Sequence, residues 1–171
     1  MLKLHSKTWL WYALAIVVFM LDQASKMAVS GSLEMHTPVV FTSFFNFTLM
    51  HNYGAAFSFL GDAGGWQRYF LGLLAVVVSV GLIIWLARIP KRKTWEPLAL
   101  ALVLGGAVGN LYDRATLGYV VDFIVVHYQT YYWPAFNIAD MAISGGAIML
   151  LIDALRGKPQ PNAEAVETLD K

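Results

Sequence analysis

The 171-residue chain is too apolar to be an ordinary soluble domain. Hydrophobic residues make up 58% of it and charged residues 13%, with a mean hydropathy of +0.57, whereas soluble domains carry about 25% charged residues. The net charge of +1 gives no indication of nucleic-acid binding, and the absence of cysteine excludes disulfides, zinc–thiolate sites and a thiol nucleophile. The composition therefore indicates a membrane protein.

Four apolar segments are long enough to cross a membrane, because a span needs about 20 residues to cross a hydrocarbon core of about 30 Å. They cover residues 9–29, 69–87, 95–112 and 136–155. The first segment follows Lys3 and Lys7 and so resembles a signal peptide. It is long, however, and continues into Asp22 and Lys26 without a clear Ala-x-Ala cleavage site. We interpret it as an uncleaved first span.

The basic residues predict the orientation of these spans, since short loops rich in lysine and arginine stay on the cytoplasmic side. With four spans, most basic residues fall on one side: Lys3, Lys7, Arg88, Lys91, Arg92, Lys93, Arg156 and Lys158. We therefore expect both termini to be cytoplasmic and residues 1–156 to form a single membrane domain. Residues 157–171 are polar and contain proline, which indicates a disordered cytoplasmic tail.

Two loops then face outward, and both contain sequence typical of strands. The first, residues 30–68, includes the aromatic and β-branched stretch "VVFTSFFNFTLMHNYGAAFSF", which predicts two or three short strands on the membrane surface, within about residues 36–60. The second, residues 115–135, contains "GYVVDFIVVHY" and then the aromatic cluster "YQTYYWP", which suits the level of the lipid headgroups.

This topology brings polar side chains from distant parts of the chain to the outer end of the spans. They are Asp22, Lys26, Asn52, Asn110, Arg114, Asp122, Asn137 and Asp140. Polar groups at such a depth usually face a bundle interior and mark a functional site. Asp113 and Asp153 lie near span ends, where we expect them to be solvated. Small residues, Gly105 and Gly109 among them, let helices approach closely, so we expect a tight four-helix bundle with an outer polar pocket roofed by the first loop.

Helical spacing groups some of these polar residues in pairs. Asp22 and Lys26 are four residues apart and can pair on one helix face, as can Asn110 and Arg114. Either pair can be purely structural. Asn137 and Asp140 are three residues apart at the start of the fourth span.

Asp122 and Asp140 differ from the other acidic residues because each is embedded in apolar sequence without a cation three or four positions away. Two carboxylates in one pocket cannot easily ionise together, so they share one proton. One carboxylate can then deprotonate a water while the other protonates a carbonyl, as in aspartic proteases. The same pair also fits ion or proton transport, and a non-catalytic membrane scaffold with a polar packing core is a third interpretation.

Five sequence blocks, taken in order, resemble the lipoprotein signal peptidase (signal peptidase II) family. They are "DQASK" (22–26), "NYGAAFSF" (52–59), "GGAVGNLYDR" (105–114), "GYVVDFI" (118–124) and "FNIAD" (136–140). The resemblance implies an all-α polytopic membrane protein with four transmembrane helices, a small extracytoplasmic β-cradle and an outer loop. It implies an aspartyl endopeptidase that removes the signal peptide of diacylglyceryl-modified prolipoproteins, cutting just before the lipidated cysteine, and that globomycin inhibits.

The resemblance also implies roles for particular residues. Asp122 and Asp140 match the family's catalytic aspartates, and its supporting and substrate-binding positions match Asp22, Lys26, Asn52, Gly54, Asn110, Arg114 and Asn137. No cofactor or metal is expected. The expected partners are lipidated prolipoproteins and membrane lipids, with no nucleic acid, and we expect a monomer in the bacterial cytoplasmic (inner) membrane with its active site near the periplasmic face.

The alternative from another class is a small membrane transporter or ion channel that uses Asp22, Asp122 and Asp140 as coupling sites. Against it, the polar residues cluster at one face of the membrane instead of lying at its midplane. The sequence also lacks the internal repeat that is typical of transporters.

Overall fold

The computed structural model describes residues 8–54, 64–90 and 93–156 of the chain. Over these residues it has four long helices: α1 (Thr8–Ser32), α2 (Trp66–Arg88), α3 (Trp95–Thr116) and α4 (Ile138–Leu155). It also has four strands: β1 (Val39–Thr42), β2 (Phe45–Asn52), β3 (Val120–Tyr128) and β4 (Tyr131–Tyr132). The tail at residues 157–171 and residues 55–59 of the second sequence block lie outside the described residues.

Three of the described helices, α1, α2 and α4, are long and apolar enough to cross a membrane. Large apolar side chains on their surfaces are exposed, including Leu73, Val77 and Ile148. Contiguous apolar surface of this extent is unfavourable in water and favourable in lipid. The chain is therefore a helical membrane protein with a small sheet attached.

The central helix of the fold is α3, which packs against α1, α2 and α4. Its Leu100 has no exposed surface. A helix surrounded by other helices does not need an apolar face toward lipid, so α3 can carry Glu96, Asp113 and Arg114. This position explains why α3 is less apolar than the three helices around it.

Glycines allow the helices to approach α3 closely, as the sequence predicted. A Cβ atom on Gly105 would lie 2.6 Å from the carbonyl oxygen of Ala15 in α1. A Cβ atom on Gly146 of α4 would lie 2.6 Å from the carbonyl oxygen of Ala99 in α3. Since backbone atoms cannot move aside as a side chain can, any larger residue at either position would push two helices apart.

The neighbouring glycines Gly146 and Gly145 provide a matched test of this packing. Gly146→Ala is expected to destabilise the fold by about 1–3 kcal/mol, the usual range for overpacking. Gly145→Ala is the control, because a Cβ there meets nothing within 4 Å and alanine favours the helix by about 1 kcal/mol. Thermal melts in detergent should show a lower midpoint for Gly146→Ala only, and equal midpoints would contradict the close contact.

The two loops that we expected to face outward meet in one antiparallel sheet with the strand order β1-β2-β3-β4. Strands β2 and β3 pair with Met50 opposite Asp122 and Asn52 opposite Val120. The register shifts between Phe47 and Met50, as at a β-bulge. This pairing places the end of β2 beside Asp122, although the two strands are far apart in sequence.

The sheet is also connected to the start of α4. The amide of Ile124 donates to the carbonyl oxygen of Phe136 at 2.9 Å, and the amide of Phe136 donates to that of Ile124 at 3.0 Å. Because Phe136 immediately precedes the N-cap of α4, these two hydrogen bonds hold the first turn of α4 against β3. The fold thereby brings the strand that carries Asp122 next to the helix turn that carries Asp140.

Candidate active site

The first turn of α4 explains the local sequence "FNIAD". Asn137 is the N-cap residue, and its side-chain oxygen accepts a hydrogen bond from the amide of Asp140 at 2.9 Å. In return, Asp140 Oδ2 accepts from the amide of Asn137 at 3.2 Å. This reciprocal capping box fixes the Asp140 side chain at the helix N-terminus, where a negative charge is favoured. It also explains why α4 begins at Ile138, two residues after the expected start of the span.

Asp122 lies on β3 and is only 2% exposed. Its Oδ1 accepts from Asn137 Nδ2 at 2.7 Å, and its Oδ2 accepts from Asn52 Nδ2 at 3.0 Å. Asn137 therefore bonds to both aspartates, through its side chain to Asp122 and through the capping box to Asp140. The two carboxylates are held around one shared asparagine.

A cavity of about 410 Å³ adjoins this pair. Asp140 lies on its wall together with Asn52, Asn110 and Arg114, and the apolar part of the lining includes Trp133, Pro134, Phe136 and Ile143. Asp140 Oδ1 accepts from Asn110 Nδ2 at 2.7 Å. Asp122 is not part of this lining. One carboxylate thus faces the cavity directly, and the other is buried within hydrogen-bonding distance of Asn52 on the same wall.

Burial and the nearby charge of Asp140 raise the pKa of Asp122 from 3.8 to about 7. Loss of hydration is the larger cause, since it penalises the ionised form. The amides of Asn52 and Asn137 and the charge of Lys26 oppose this increase. Near neutral pH the pair of carboxylates can therefore hold one proton.

This pKa makes the stability of the protein depend on pH. Because the pKa of Asp122 is about 7 in the folded state and 3.8 in an ordinary environment, the folded state binds the extra proton in that interval. The stabilisation is complete below the lower value and is lost as the pH rises through about 7. Asp122→Asn cannot ionise at this position and does not lose this stabilisation. Its melting midpoint should therefore rise relative to that of the wild type as the pH is raised from 5 to 8. A difference between the two melting midpoints that does not change with pH would contradict the raised pKa of Asp122.

Arg114 secures the end of β2 at the cavity. Its Nη2 donates to the carbonyl oxygen of Gly54 at 2.8 Å, and its Nη1 donates to that of Asn110 at 3.3 Å. The amide of Gly54 in turn donates to Asn52 Oδ1 at 3.0 Å. These contacts orient the Asn52 amide so that its Nδ2 group faces Asp122.

A buried ionic cluster lies beside the pair. Lys26 Nζ contacts Asp22 Oδ2 and Asp113 Oδ2, each at 2.8 Å, and donates to Asn110 Oδ1 at 3.0 Å. Asp22 Oδ1 accepts from the amide of Ala139 at 2.9 Å, which attaches the cluster to α4. The nine residues implied by the family resemblance are thus joined in one hydrogen-bonded network: Asp22, Lys26, Asn52, Gly54, Asn110, Arg114, Asp122, Asn137 and Asp140. Their roles remain predictions.

The expectation that Asp113 is solvated is wrong. Its side chain is 2% exposed and paired with Lys26. A position near a span end indicates depth in the membrane but not the direction in which a side chain points. The spacing contained a usable signal, because Asp113 follows Gly106 and Gly109 at i+7 and i+4 and so lies on the face of α3 that packs closely. Gln23, whose Nε2 donates to Asp113 Oδ1 at 2.9 Å, was also missed.

Within residues 8–54, 64–90 and 93–156, no group of three or more His, Asp or Glu side chains is arranged to hold a metal ion. The acidic residues of the network bond instead to amides and cations. The fold and this site define a helical membrane protein with one buried and one half-buried carboxylate that share an asparagine beside a cavity.

Comparisons with known proteins identify the family. A family model described as signal peptidase (SPase) II matches residues 14–156. The lipoprotein signal peptidase of Teredinibacter turnerae is 64% identical over 147 residues, covering 86% of this chain and 88% of that protein. That of Pseudomonas aeruginosa is 54% identical over 157 residues, covering 91% and 92%. The chain belongs to the signal peptidase II family, which confirms the sequence resemblance and makes it a protease.

A solved structure supports the fold. A bacterial membrane enzyme determined by the in meso method at 2.3 Å resolution has a TM-score of 0.79 with this chain at 27% identity. The match covers 90% of this chain and 93% of the other. The arrangement of helices and sheet is thus shared with a known membrane enzyme.

Proposed function

We propose that this protein is an aspartic endopeptidase that cleaves the signal peptide from diacylglyceryl-modified prolipoproteins, just before the lipidated cysteine. Asp122 and Asp140 are its catalytic pair. The observation that carries the proposal is Asn137, which bonds to both carboxylates and holds them together beside the cavity. The names of the relatives supply the substrate class.

The pair catalyses hydrolysis in the state with one shared proton. The ionised carboxylate takes a proton from a water, whose oxygen attacks the carbonyl carbon of the residue before the cysteine. The protonated carboxyl gives its proton to the carbonyl oxygen, so that a tetrahedral intermediate forms without a full negative charge. When the C–N bond breaks, the carboxyl that took the proton from water gives it to the departing amine of the cysteine. A hydroxyl of the intermediate loses its proton to the other carboxylate as the new carboxyl group forms, so the pair again holds one shared proton. The two aspartates titrate jointly, so the roles of base and acid belong to the pair.

Amide donors hold the carboxylates ready for this reaction. Each oxygen of Asp122 accepts one hydrogen bond, from Asn137 and from Asn52. Each oxygen of Asp140 likewise accepts one, from Asn110 and from the amide of Asn137. A carboxylate oxygen has two acceptor positions, so, counting partners in the described part of the chain, every oxygen retains one for the shared proton or for water.

We extend the proposal to the topology, in which α3 is a fourth span. Its 22 residues reach about 33 Å at 1.5 Å per residue. Arg88 ends α2, Lys93 precedes α3 and Arg156 follows α4, so these basic groups share the helix ends opposite the site. By the positive-inside rule, both termini are cytoplasmic and the site faces the periplasm of the inner membrane.

The lipid anchor of the substrate fits this placement. Acyl chains attached to the substrate cysteine keep the scissile bond near the outer membrane surface, where we place the carboxylate pair. Exposed aromatic residues beside the cavity, Tyr131, Tyr132 and Trp133, suit the headgroup level. A single chain contains every residue of the network, which is consistent with action as a monomer.

The proposal is tested by a cleavage assay with two substrates. The purified protein in detergent would receive a diacylglyceryl-modified prolipoprotein and, separately, its unlipidated counterpart, and products would be followed by gel shift and mass spectrometry. We expect cleavage of the lipidated form alone, with the modified cysteine at the new N-terminus. If the folded protein cleaves neither substrate under conditions in which a relative is active, the proposal fails. Ion flux in proteoliposomes that Asp122→Asn abolishes would then favour the transporter alternative.

A further inference from the structure

Lys26 is fully used as a hydrogen-bond donor inside the protein. An ammonium group has three N–H donors and no acceptor. Its three partners are Asp22 and Asp113, each at 2.8 Å, and Asn110 at 3.0 Å. Because the side chain is 3% exposed, these contacts fix its position and leave no donor for water.

One carboxylate would be sufficient to neutralise Lys26. A second buried carboxylate loses its hydration, and pairing alone does not explain why that loss is tolerated. Asp113 also places a second negative charge beside Asp22, which already pairs with Lys26. Its contacts with other elements of the fold provide a reason for its presence.

Asp113 connects three elements of the fold at one point. Its Oδ2 contacts Lys26 of α1 at 2.8 Å and accepts from the amide of Val121 in β3 at 3.2 Å. Its Oδ1 accepts from Gln23 Nε2 at 2.9 Å. Both oxygens of the Asp113 carboxylate therefore have partners, which fix the orientation of the side chain.

The first connection leads to Asp140. Since Lys26 can only donate, Asn110 must turn its oxygen toward Lys26 and its Nδ2 group away. That Nδ2 group donates to Asp140 Oδ1 at 2.7 Å. The ammonium held by Asp113 and Asp22 thereby sets the orientation of the amide on the cavity wall.

The second connection leads to Asp122. The amide of Val121 immediately precedes Asp122 on β3 and donates to Asp113. Successive side chains of a strand point to opposite faces, so fixing Val121 also fixes the direction in which the Asp122 side chain leaves the strand. Asp113 is thus connected to Asp140 through Lys26 and Asn110, and to Asp122 through the amide of Val121.

We propose that Asp113 is a positioning residue for the hydrolysis: it aligns Asp140 through Lys26 and Asn110, and Asp122 through the backbone of Val121. The proposal rests on the proposed function, in which Asp122 and Asp140 form the catalytic pair. It predicts that changes at Asp113 act on the chemical step more than on substrate binding.

The charge of Asp113 has a separate and measurable effect. Among the described residues, the charged groups that act on the pair are Asp22 and Lys26 of α1 and Arg114 of α3, and Asp113 pairs with Lys26 and lies near Arg114. Removing the negative charge of Asp113 leaves the positive charge of Lys26 less compensated, which favours ionisation of the pair. Both limbs of the pH–rate profile should then move to lower pH.

The test compares two substitutions in the full-length protein with lipidated prolipoprotein. Asp113→Asn removes the charge, and Asp113→Glu keeps the charge but displaces the carboxylate by one methylene. For both, we expect kcat to fall about tenfold to a hundredfold, an effect as large as that of removing a group that orients a metal ligand in a metalloenzyme, with KM within about twofold. Only Asp113→Asn should shift the pH profile. Asp153→Asn, an exposed carboxylate on α4, is the control and should match the wild type.

The outcomes separate this proposal from the proposed function. If kcat of the folded Asp113→Asn and Asp113→Glu variants equals that of the wild type, or if KM rises alone, the positioning role is wrong. If Asp113→Asn does not fold, the kcat and KM of Asp113→Glu alone decide whether the positioning role is correct. If Asp122→Asn and Asp140→Asn keep activity, the proposed function fails whatever Asp113 does.

Discussion

Asp122→Asn and Asp140→Asn are each expected to lower kcat for prolipoprotein cleavage by about 10²–10⁴-fold, the usual contribution of general acid–base catalysis. Asparagine has nearly the same shape as aspartate but can neither take a proton from water nor carry the shared proton of the pair. In the proposed mechanism each substitution removes one of the two groups that the reaction needs, so the loss should be similar for both. Initial rates with lipidated substrate would measure it.

The two variants should remain folded, although with different changes in their hydrogen bonds. The Nδ2 group of Asn110 points at Asp140 because Lys26 holds its oxygen. An asparagine at position 140 therefore keeps its own oxygen toward Asn110 and loses the hydrogen bond from the amide of Asn137, because its Nδ2 group is a donor. Thermal melts in detergent would establish that the loss of rate is chemical. A folded Asp140→Asn variant with wild-type kcat would show that the carboxylate pair does not catalyse the reaction.

Lys26→Met is expected to cause the largest loss of stability. It leaves the carboxylates of Asp22 and Asp113, which are 0% and 2% exposed, facing each other without a cation. Breaking a buried ion pair in this way usually destabilises a protein by about 3–5 kcal/mol, because an uncompensated charge stays buried. Asn110 also loses the donor that orients it, so activity should fall together with stability. The measurement is the melting midpoint in detergent.

Lys93→Met is the matched control for this prediction. Lys93 is 54% exposed and pairs with Glu96, so its loss should leave the melting midpoint nearly unchanged. If Lys26→Met has the same melting midpoint as Lys93→Met, burial of the carboxylates of Asp22 and Asp113 does not depend on the ammonium group. The comparison separates burial from charge, since both substitutions remove one lysine.

The sequence predicted the features of the site that are local along the chain. Asp22 and Lys26 pair because they lie one helix turn apart. Asn137 and Asp140 are three residues apart, which is the spacing of a capping box, although we identified it only as a helical pair. The close packing at Gly105 was also predicted, because small residues in apolar helices mark contacts between them.

The sequence did not predict how distant segments meet. Both outer loops contained strand-like stretches, but their union in one sheet, with Asn52 beside Asp122, depends on a register between strands that are 70 residues apart at this contact. Asp113 was expected to be solvated because that expectation used only its position near the end of α3 and not its helical spacing from Gly106 and Gly109. Helix rotation is set by packing against α1 and α4 together.

The sequence by itself thus determined that the protein is an apolar helical membrane protein and which residues form its local pairs, because periodicity and spacing act within one helix turn or one strand. The tertiary structure decided that Asn137 joins Asp122 to Asp140 and that Asp113 holds Lys26. These contacts depend on strand register and helix rotation, which arise only when all the elements pack together.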